Sequence, residues 1–291
     1  MHAASQHEAE PGAGEAVPAT VRAEMARRIA AGSLELPVLP HVATQLLGGM
    51  REDVGLGELA ATLHGDQALA GHVLRVANSA VYARGARIQS IQQALLRIGL
   101  TQLREILLAV AVGGRVFRVR GYEDLVRDLW RHSAVAGAYA REIARGLRAN
   151  AESAFLCGLL HDVGKPVVLT LLLDVMKAAA AAPSQALCAA VLASHHAAVG
   201  RRLAERWALP EPVVAAIAHH HDFAAAEQHA PAAAIACLAN LLAHLILDRP
   251  ESEPAVRAHP VCAALNLYPE DVDGLLAKGD AMRELAEAFM P

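Results

Sequence analysis

The 291-residue sequence predicts an all-α protein built from two packed helical subdomains. Alanine makes up more than a fifth of the chain, whereas aromatic residues account for only 3%. Because alanine loses no side-chain entropy in a helix, this composition favours helices. Apolar residues recur at i, i+3, i+4 and i+7 in most segments, and no segment sustains the two-residue alternation of a strand. A chain of this length can bury its own core.

The first subdomain is predicted over residues 20–118. Residues 1–19 mix Ala, Gly, Pro, Glu and His without periodicity and are expected to form a disordered leader. A short helix over 21–31 follows, and Pro37 and Pro40 then favour extended backbone. Asp66, Ser90 and Thr101 are suitable N-cap residues. The remaining helices are predicted near 41–50, 55–63, 66–77, 91–98 and 102–112, and Gly113-Gly114 is expected to end the last of them.

The second subdomain is predicted over residues 119–291. Leu125, Leu129, His132, Ala136 and Tyr139 are spaced by three and four, which predicts a long helix over 122–147. Prolines at helix starts and polar turns separate the later elements. These are predicted near 152–161, from 166 onward, and over 185–192, 196–207, 210–221 and 231–247, with a loop at 251–254 and a final pair of helices within 256–289.

Charge and cysteine content exclude several functional classes. The chain has 26 Lys and Arg against 30 Asp and Glu, so it is not a basic nucleic-acid binder along its whole length. The four cysteines lie far apart and are typical of reduced thiols rather than of a Cys-based zinc site. No signal-peptide pattern is present, and the longest apolar runs are too short to cross a bilayer. We therefore expect a cytoplasmic protein that does not contact a membrane.

The histidines form groups in the second subdomain. They are His132, His161-Asp162, His195-His196 and His219–His221 followed by Asp222. Neutral imidazole is the commonest metal ligand, and helical bundles build metal sites from such side chains on facing helices. Asp128 lies one turn before His132 and is a possible extra ligand. Lys165 follows the tight turn at Gly164 and is a candidate to bind a phosphate oxygen.

Two interpretations of these groups remain open from the residues alone. A single histidine on a helix is usually a core or surface residue, and His219–His221 is also compatible with a solvated helix end, where cationic histidine favours the helix dipole. The alternative is a metal or phosphate site. By spacing alone, a metal or phosphate site and a set of ordinary helix histidines are about equally compatible with these groups.

Seven segments follow one another along the chain in a characteristic order: LPVLPHVATQLL, DQALAGHVLRVANSAVY, SIQQALLRIG, LWRHSAVAG, FLCGLLHDVGK, HHAAVGRRLAERWALP and VVAAIAHHH. Together they resemble the HDOD family, a group of bacterial relatives of the HD phosphohydrolases. The resemblance covers about residues 34–247. It implies an all-helical fold whose second subdomain is an HD-type bundle, and a role in signalling or regulation, often without demonstrated catalysis.

The wider HD superfamily holds one to three metal ions on His and Asp residues. Matched by position, the resemblance implies a metal site at His132, His161, Asp162, His196, His220, His221 and Asn240. Asn240 stands where relatives carry an Asp, and a neutral oxygen holds a hard dication less firmly. Asp128 stands where some relatives place a Glu. The expected cofactor is a divalent transition metal (Fe, Zn, Mn or Ni), weakly or partially bound, and no catalytic residue is assigned.

A second feature is a basic segment in the first subdomain. Residues 84–120 hold seven arginines and one acid, Glu105, a local charge of +6. This segment is either a patch for a nucleotide, a polyanion or an acidic partner domain, or a solvated helix face. No aromatic residues interleave the arginines as in a single-strand binding platform. The arginines are Arg84, Arg87, Arg97, Arg104, Arg115, Arg118 and Arg120.

Three functions are compatible with these features. The first is a regulatory HDOD module without efficient catalysis, which acts through a signalling protein partner or a ligand, as a monomer or homodimer and without nucleic acid. The second is a metal-dependent phosphohydrolase acting on a nucleotide or phosphoester, with Lys165 at the phosphate. The third is a nucleotide- or polyanion-sensing module that uses the arginines of residues 84–120. The absence of the Gly-Tyr-Pro loop of the HD-GYP subfamily argues against hydrolysis of cyclic di-GMP.

Overall fold

A computed structural model describes residues 18–32, 34–39, 43–44, 67–79, 82, 85–178, 181–247 and 253–290. Over these residues the chain is helical and contains no strand, which confirms the predicted fold class. The helices are α1 (Ala19–Ala30), α2 (Gln67–Ala77), α3 (Ile91–Val116), α4 (Glu123–Gly146), α5 (Ala151–Leu160), α6 (Gly164–Ala178), α7 (Gln185–Arg206), α8 (Glu211–His219), α9 (Ala230–Leu247), α10 (Glu253–Ala258), α11 (Pro260–Ala264), α12 (Pro269–Leu276) and α13 (Gly279–Phe289), with a 3₁₀ helix at Phe223–His229.

Several predicted features lie outside the described residues. These are most of the leader, the helix near 55–63, Asp66, Pro40 and the helix near 41–50 apart from residues 43–44. Residues 34–39 are described and form no helix, as Pro37 predicts. Trp207 Nε1 donates a hydrogen bond to the Pro37 carbonyl at 3.0 Å, which holds this extended segment against the end of α7.

Gly113-Gly114 does not end a helix, which corrects the prediction from sequence. Helix α3 continues to Val116, and the break lies instead at Gly99, whose φ of 83° kinks the helix between the two predicted segments. A Cβ atom at Gly113 would lie 2.4 Å from the Trp130 ring. The glycine therefore permits a close side-chain contact within a helix, and packing overrides its low helix propensity.

Two further boundaries predicted from sequence are wrong. The predicted break between residues 192 and 196 is absent, because α7 runs without interruption from Gln185 to Arg206. Ser194 Oγ donates to the Ala190 carbonyl at 2.8 Å, so this polar residue is accommodated on the exposed side of the helix. Where the sequence predicted a final pair of helices, the structure has four short ones. Glu253 was predicted to lie in a loop, but it begins α10. Asn266, with a φ of 52°, is part of the turn that separates α11 from α12.

Helix α4 lies at the centre of the described fold and packs against α5, α9 and α13. Its residues 134–140 are all buried, and most of them are alanine or glycine. A Cβ atom at Gly158 of α5 would lie 2.4 Å from the Ala136 carbonyl oxygen, so α4 and α5 approach closely. The high alanine content thus serves close helix packing as well as helix formation.

The C-terminal helix α13 contacts elements on both sides of the predicted subdomain boundary. Trp130 Nε1 on α4 donates to the Phe289 carbonyl at 3.2 Å, and His72 Nε2 on α2 lies 3.2 Å from the Ala288 carbonyl. The division of the chain near residue 118 stays a prediction.

Two stretches are long and apolar enough to cross a membrane by length and composition alone. They are Ala151–Ala178 and Phe223–Leu247, with 83% and 61% of their apolar windows buried inside the protein. Core helices of a soluble protein show the same combination, so these stretches are weak evidence for a membrane span.

Asn78 closes the segment that follows α2. Its side-chain amide donates to the carbonyls of Leu74 and Ile88 at 2.7 and 2.8 Å, and its oxygen accepts from the Ile88 N–H at 2.7 Å. One side chain therefore ties the end of α2 to the segment ten residues later. Tyr82, between these two points of the chain, is buried.

Tyr82 belongs to a buried charged group that the sequence did not predict. Arg141 Nη1 on α4 donates to Glu105 Oε2 on α3 at 3.1 Å and to the Tyr82 hydroxyl at 2.7 Å. Glu105 is 4% exposed and Arg141 is 1% exposed. The guanidinium also lies over the Tyr82 ring, 4.8 Å from its centroid. This group joins α3, from the predicted first subdomain, to α4.

Burial of Glu105 predicts a pH-dependent stability. Desolvation raises the pKa of its carboxyl from 4.5 to about 7, although Arg141 opposes the shift. Glu105 therefore binds a proton more tightly in the folded state than in the unfolded state, and the two states differ in protonation between pH 4.5 and about 7. The corresponding stabilisation is complete below pH 4.5 and is lost as pH rises to about 7, on the order of 2 to 3 kcal/mol.

Urea unfolding at pH 5, 6 and 8 measures this dependence. Glu105→Gln mimics the protonated carboxyl, so the variant is expected to be closest in stability to the wild type at pH 5, and its stability should change less between pH 5 and 8 than that of the wild type. An identical pH dependence in wild type and variant would show that Glu105 is not its source.

Candidate metal centre

His161 and Asp162 lie in the tight turn between α5 and α6. The turn is closed by backbone hydrogen bonds from Val163 N to Leu160 O at 3.0 Å and from Lys165 N to Asp162 O at 2.9 Å. A Cβ atom at Gly164 would lie 2.0 Å from the His196 carbonyl oxygen on α7. Only glycine permits this approach, which brings the His161-Asp162 turn next to the helix that carries His196.

Three buried imidazoles are oriented by backbone carbonyls. His161 Nδ1 lies 2.7 Å from the Gly158 carbonyl, His196 Nδ1 lies 2.8 Å from that of Leu192, and His220 Nδ1 lies 3.1 Å from that of Ile217. A carbonyl oxygen only accepts, so each Nδ1 carries the proton and each Nε2 presents a lone pair. Metal-binding histidines are commonly oriented in this way.

The Asp162 carboxylate lies among these Nε2 atoms. Its Oδ2 is 3.2 Å from His161 Nε2 and 3.9 Å from His132 Nε2. Its Oδ1 is 3.4 Å from His196 Nε2 and 3.9 Å from His220 Nε2. The carboxylate is buried and lies at the centre of the cluster.

Electrostatics in the cluster suit a cation. Burial lowers the pKa of His196 to about 4 and holds the pKa of His132 and of His220 well below the usual 6.5. Burial opposes ionisation of Asp162, but His161 and Lys165 hold its pKa well below 3.8. Near pH 7 these three histidines are therefore neutral donors around an ionised carboxylate, which is the protonation state that metal binding requires.

His132 makes a different contact, with Asn240 on α9. Its Nε2 lies 2.9 Å from Asn240 Oδ1, which accepts from the imidazole N–H. Its ring also contacts that of His244, with centroids 4.3 Å apart. His244 was not among the predicted site residues, although it follows Asn240 by one helical turn and so shares its face of α9.

The structure thus brings together His132, His161, Asp162, His196, His220 and His221, with Asn240 beside His132. Two groups have ligand atoms within 4.8 Å of one another: His196 with His220 and His221, and His132 with His161 and Asp162. These donor sets fit a divalent transition metal, since imidazole and carboxylate are its usual ligands in proteins. The role of these residues as metal ligands stays a prediction.

The other predicted site residues lie at the edge of the cluster or outside it. Lys165 Nζ is 2.5 Å from Asp162 Oδ2, and the Lys165 side chain is 18% exposed. His221 is exposed and its Nε2 is 3.0 Å from His196 Nε2, so the cluster reaches the surface at these two residues. Asp128 is exposed on α4, whereas His132 is buried.

The arginines of residues 84–120 lie mainly on the surface. Arg84 is outside the described residues, and Arg104 is half-buried. The others are exposed, and Arg97 donates to the Ala86 carbonyl. The exposed members are Arg87, Arg97, Arg115, Arg118 and Arg120.

Comparison with known proteins gives a family match and relatives of the same fold. The family model for the HDOD domain matches residues 36–223, a range that includes the cluster residues up to His221 and ends before Asn240. An uncharacterized protein of Treponema pallidum is 30% identical over 232 residues, which is 76% of this chain. The match covers 45% of that relative, so this chain spans less than half of its length.

Solved structures share the fold. An HDOD domain protein of unknown function from Geobacter sulfurreducens is 24% identical, with a TM-score of 0.70 and coverage of 92% of this chain and 99% of that one. A candidate metal-dependent phosphohydrolase from Shewanella amazonensis is 20% identical, with a TM-score of 0.70 and coverage of 92% and 99%. A candidate signal transduction protein from Marinobacter aquaeolei is 22% identical, with a TM-score of 0.65 and coverage of 94% and 66%.

Proposed function

Since this chain belongs to the HDOD domain family, we propose that it is a regulatory signalling module whose HD-type cluster binds a divalent cation but does not hydrolyse phosphoesters efficiently. The module acts by binding a signalling protein partner or a ligand in the cytoplasm. The Marinobacter aquaeolei protein of the same fold, described as a candidate for signal transduction, is compatible with this role.

The observation that carries this proposal is the charge of the cluster. Asp162 is the one carboxylate among the seven matched residues, and Lys165 already lies 2.5 Å from its Oδ2. At the position where HD relatives have an Asp, Asn240 presents a neutral amide, which contacts His132. Hydrolysis at such a site is favoured by anionic ligands that retain the cation and by a group that accepts a proton from water. Here no second carboxylate among these seven residues is available for either task.

The residues that would hold the cation are drawn from those whose donor atoms converge on Asp162. When bound, a divalent cation would neutralise phosphate charge and promote ionisation of water. Imidazole-rich sites suit Fe, Zn and Ni, and Mn is compatible through the carboxylate. We expect weak or partial occupancy, because a site with one carboxylate attracts a dication less than a site with two.

A second candidate function is a metal-dependent phosphohydrolase, and the position of Lys165 favours it. The ammonium group lies at the edge of the cluster and is partly exposed, so a phosphate entering there would meet a positive charge. His221 lies at the exposed side of the same cluster. Under this function Lys165 would release Asp162 and bind the substrate phosphate.

Assays of hydrolysis separate the two functions. We expect no turnover of cyclic di-GMP, common nucleotides or bis(p-nitrophenyl) phosphate above that of a His161→Ala variant, with Mn²⁺, Fe²⁺, Ni²⁺ or Zn²⁺ supplied in turn. The physical reason is the lack of a second carboxylate. Metal-dependent turnover by the wild type that is abolished in both His161→Ala and Asp162→Ala would instead establish the phosphohydrolase.

A further inference from the structure

Asp162 divides the cluster into two halves. The inner half consists of His132, His161 and Asp162 Oδ2, and the outer half consists of His196, His220, His221 and Asp162 Oδ1. His221 in the outer half is exposed, whereas His132 and His161 in the inner half are both buried. The two carboxylate oxygens therefore face different sets of imidazoles, as they would in a site built for two cations.

In the inner half, Lys165 occupies the position of a cation. Its ammonium lies 2.5 Å from Asp162 Oδ2, which is the oxygen that faces His161 and His132. A dication bound to that oxygen would meet a fixed positive charge within a few ångströms, and in a buried site this repulsion is poorly screened. Lys165 therefore neutralises the inner oxygen and disfavours a metal ion there.

Asn240 removes a second donor from the inner half. The hydrogen bond between His132 Nε2 and Asn240 Oδ1 occupies the imidazole nitrogen that is nearest to Asp162. The other nitrogen, Nδ1, is buried and makes no hydrogen bond with the described residues. If the amide were turned, its N–H would donate to the same Nε2, so this nitrogen is engaged in either orientation. The inner half is left with the single free imidazole of His161.

The outer half has the opposite character. His196 and His220 both use Nδ1 as a donor to helix carbonyls, so their Nε2 lone pairs face each other at 3.2 Å. His221 Nε2 lies 3.0 Å from the same His196 atom. Asp162 Oδ1 is buried, accepts no hydrogen bond from the described residues, and lies 3.4 Å from His196 Nε2. A cation among these donors would turn a repulsive contact between lone pairs into coordination.

We propose that this chain binds a single divalent cation in the outer half, through His196, His220, His221 and Asp162 Oδ1, while Lys165 and Asn240 take the place of a second cation in the inner half. This inference rests on the proposed metal site and specifies its stoichiometry. A single ion cannot act as the two-metal clamp that stabilises both the attacking and the leaving oxygen of a phosphoester. The arrangement thus gives a structural reason to expect inefficient hydrolysis.

Zinc titration of the full chain tests the stoichiometry. Chelator-treated protein is titrated to saturation with Zn²⁺ by calorimetry, and zinc is counted by element analysis after gel filtration in buffer that holds free Zn²⁺ at a saturating concentration. We expect one zinc per wild-type chain and two per chain in the Lys165→Met, Asn240→Asp double variant, which frees Asp162 Oδ2 and adds a carboxylate beside His132. Two zinc ions in the wild type, or only one in the double variant, would overturn the inference.

A pair of matched histidine variants locates the ion. His196→Ala is expected to weaken zinc binding by about 100-fold or more. Loss of a residue that merely orients a metal ligand weakens binding by about 10- to 100-fold, and loss of a ligand itself should cost at least as much. His132→Ala, at an equally buried histidine of the same cluster, is expected to change it by less than about threefold. Should His196→Ala fail to fold, as circular dichroism would report, His221→Ala removes an exposed ligand and is expected to show a loss of at least tenfold.

These outcomes distinguish failure of the inference from failure of the proposed metal site. Equal losses in His132→Ala and His196→Ala would place the ion across both halves and overturn the inference, while the metal site would stand. No zinc in the wild type, or zinc that both variants retain fully, would contradict the metal site and the inference together.

Discussion

Replacement of Arg141 by methionine is expected to lower the free energy of unfolding by about 3 to 5 kcal/mol at pH 8. The guanidinium is 1% exposed and is hydrogen-bonded to Glu105 and Tyr82. Methionine would fill much of the same space but leave the Glu105 carboxylate buried without a countercharge. A broken buried ion pair is costly because the remaining charge keeps its desolvation penalty and loses its compensation.

Urea unfolding of the variant and two controls measures this effect. Arg201→Met breaks the exposed Arg201–Glu205 pair on α7, whose atoms are 2.8 Å apart with side chains 55% and 49% exposed. That change is expected to cost less than about 1 kcal/mol. The Glu105→Leu, Arg141→Met double variant should recover most of the loss, since no unpaired charge remains. An Arg141→Met loss as small as that of Arg201→Met would contradict the buried pair.

Zinc is expected to stabilise the wild type by about 4 kcal/mol at a free concentration of about 1,000 times its dissociation constant. For a chain of this size, such a gain raises Tm by roughly 6 to 8 °C. Asp162→Asn should abolish most of the rise. The amide has nearly the same shape as the carboxylate but carries no charge, and Asp162 is the one carboxylate among the converging donor groups.

Thermal unfolding with and without Zn²⁺ measures the rise in Tm. Asp174→Asn changes an exposed carboxylate on α6, the helix that follows the Asp162 turn, and should retain the full rise. In the absence of zinc, the Asp162→Asn variant should remain helical by circular dichroism. A rise of the same size in Asp162→Asn and in the wild type would show that zinc stabilises the protein at another place.

The helical fold and the groups of ligand-type residues could be predicted because both depend on local sequence. Apolar spacing along each helix predicts which face is buried without reference to any other element. Ser90, Asn150 and Ser184 each accept a hydrogen bond from a backbone N–H three residues later, an interaction within one turn. The segments around His132, His161-Asp162 and His196 are likewise short, and their order along the chain sufficed for the resemblance to the HDOD family.

Errors arose where a distant residue decided the local outcome. Gly113 has a low helix propensity, but the helix continues through it to Val116. Its missing side chain leaves room for the Trp130 ring. Glu105 appeared as one acid among arginines, and its burial depends on Arg141, 36 residues later. His244 stood outside every quoted motif, and only the packing of α9 against α4 brings it to His132.

The sequence by itself determined that the chain folds into helices and that it carries the donor groups of an HD-type site. Only the tertiary structure decided how those donors are used. His132 and Asn240 are 108 residues apart, and their hydrogen bond exists because α4 and α9 pack together. Likewise, the turn at Gly164 places Asp162 between the two sets of imidazoles and Lys165 on one of its oxygens. Which oxygen faces which nitrogen depends on packing distances of a few ångströms, and the spacing of residues along a chain contains no such information.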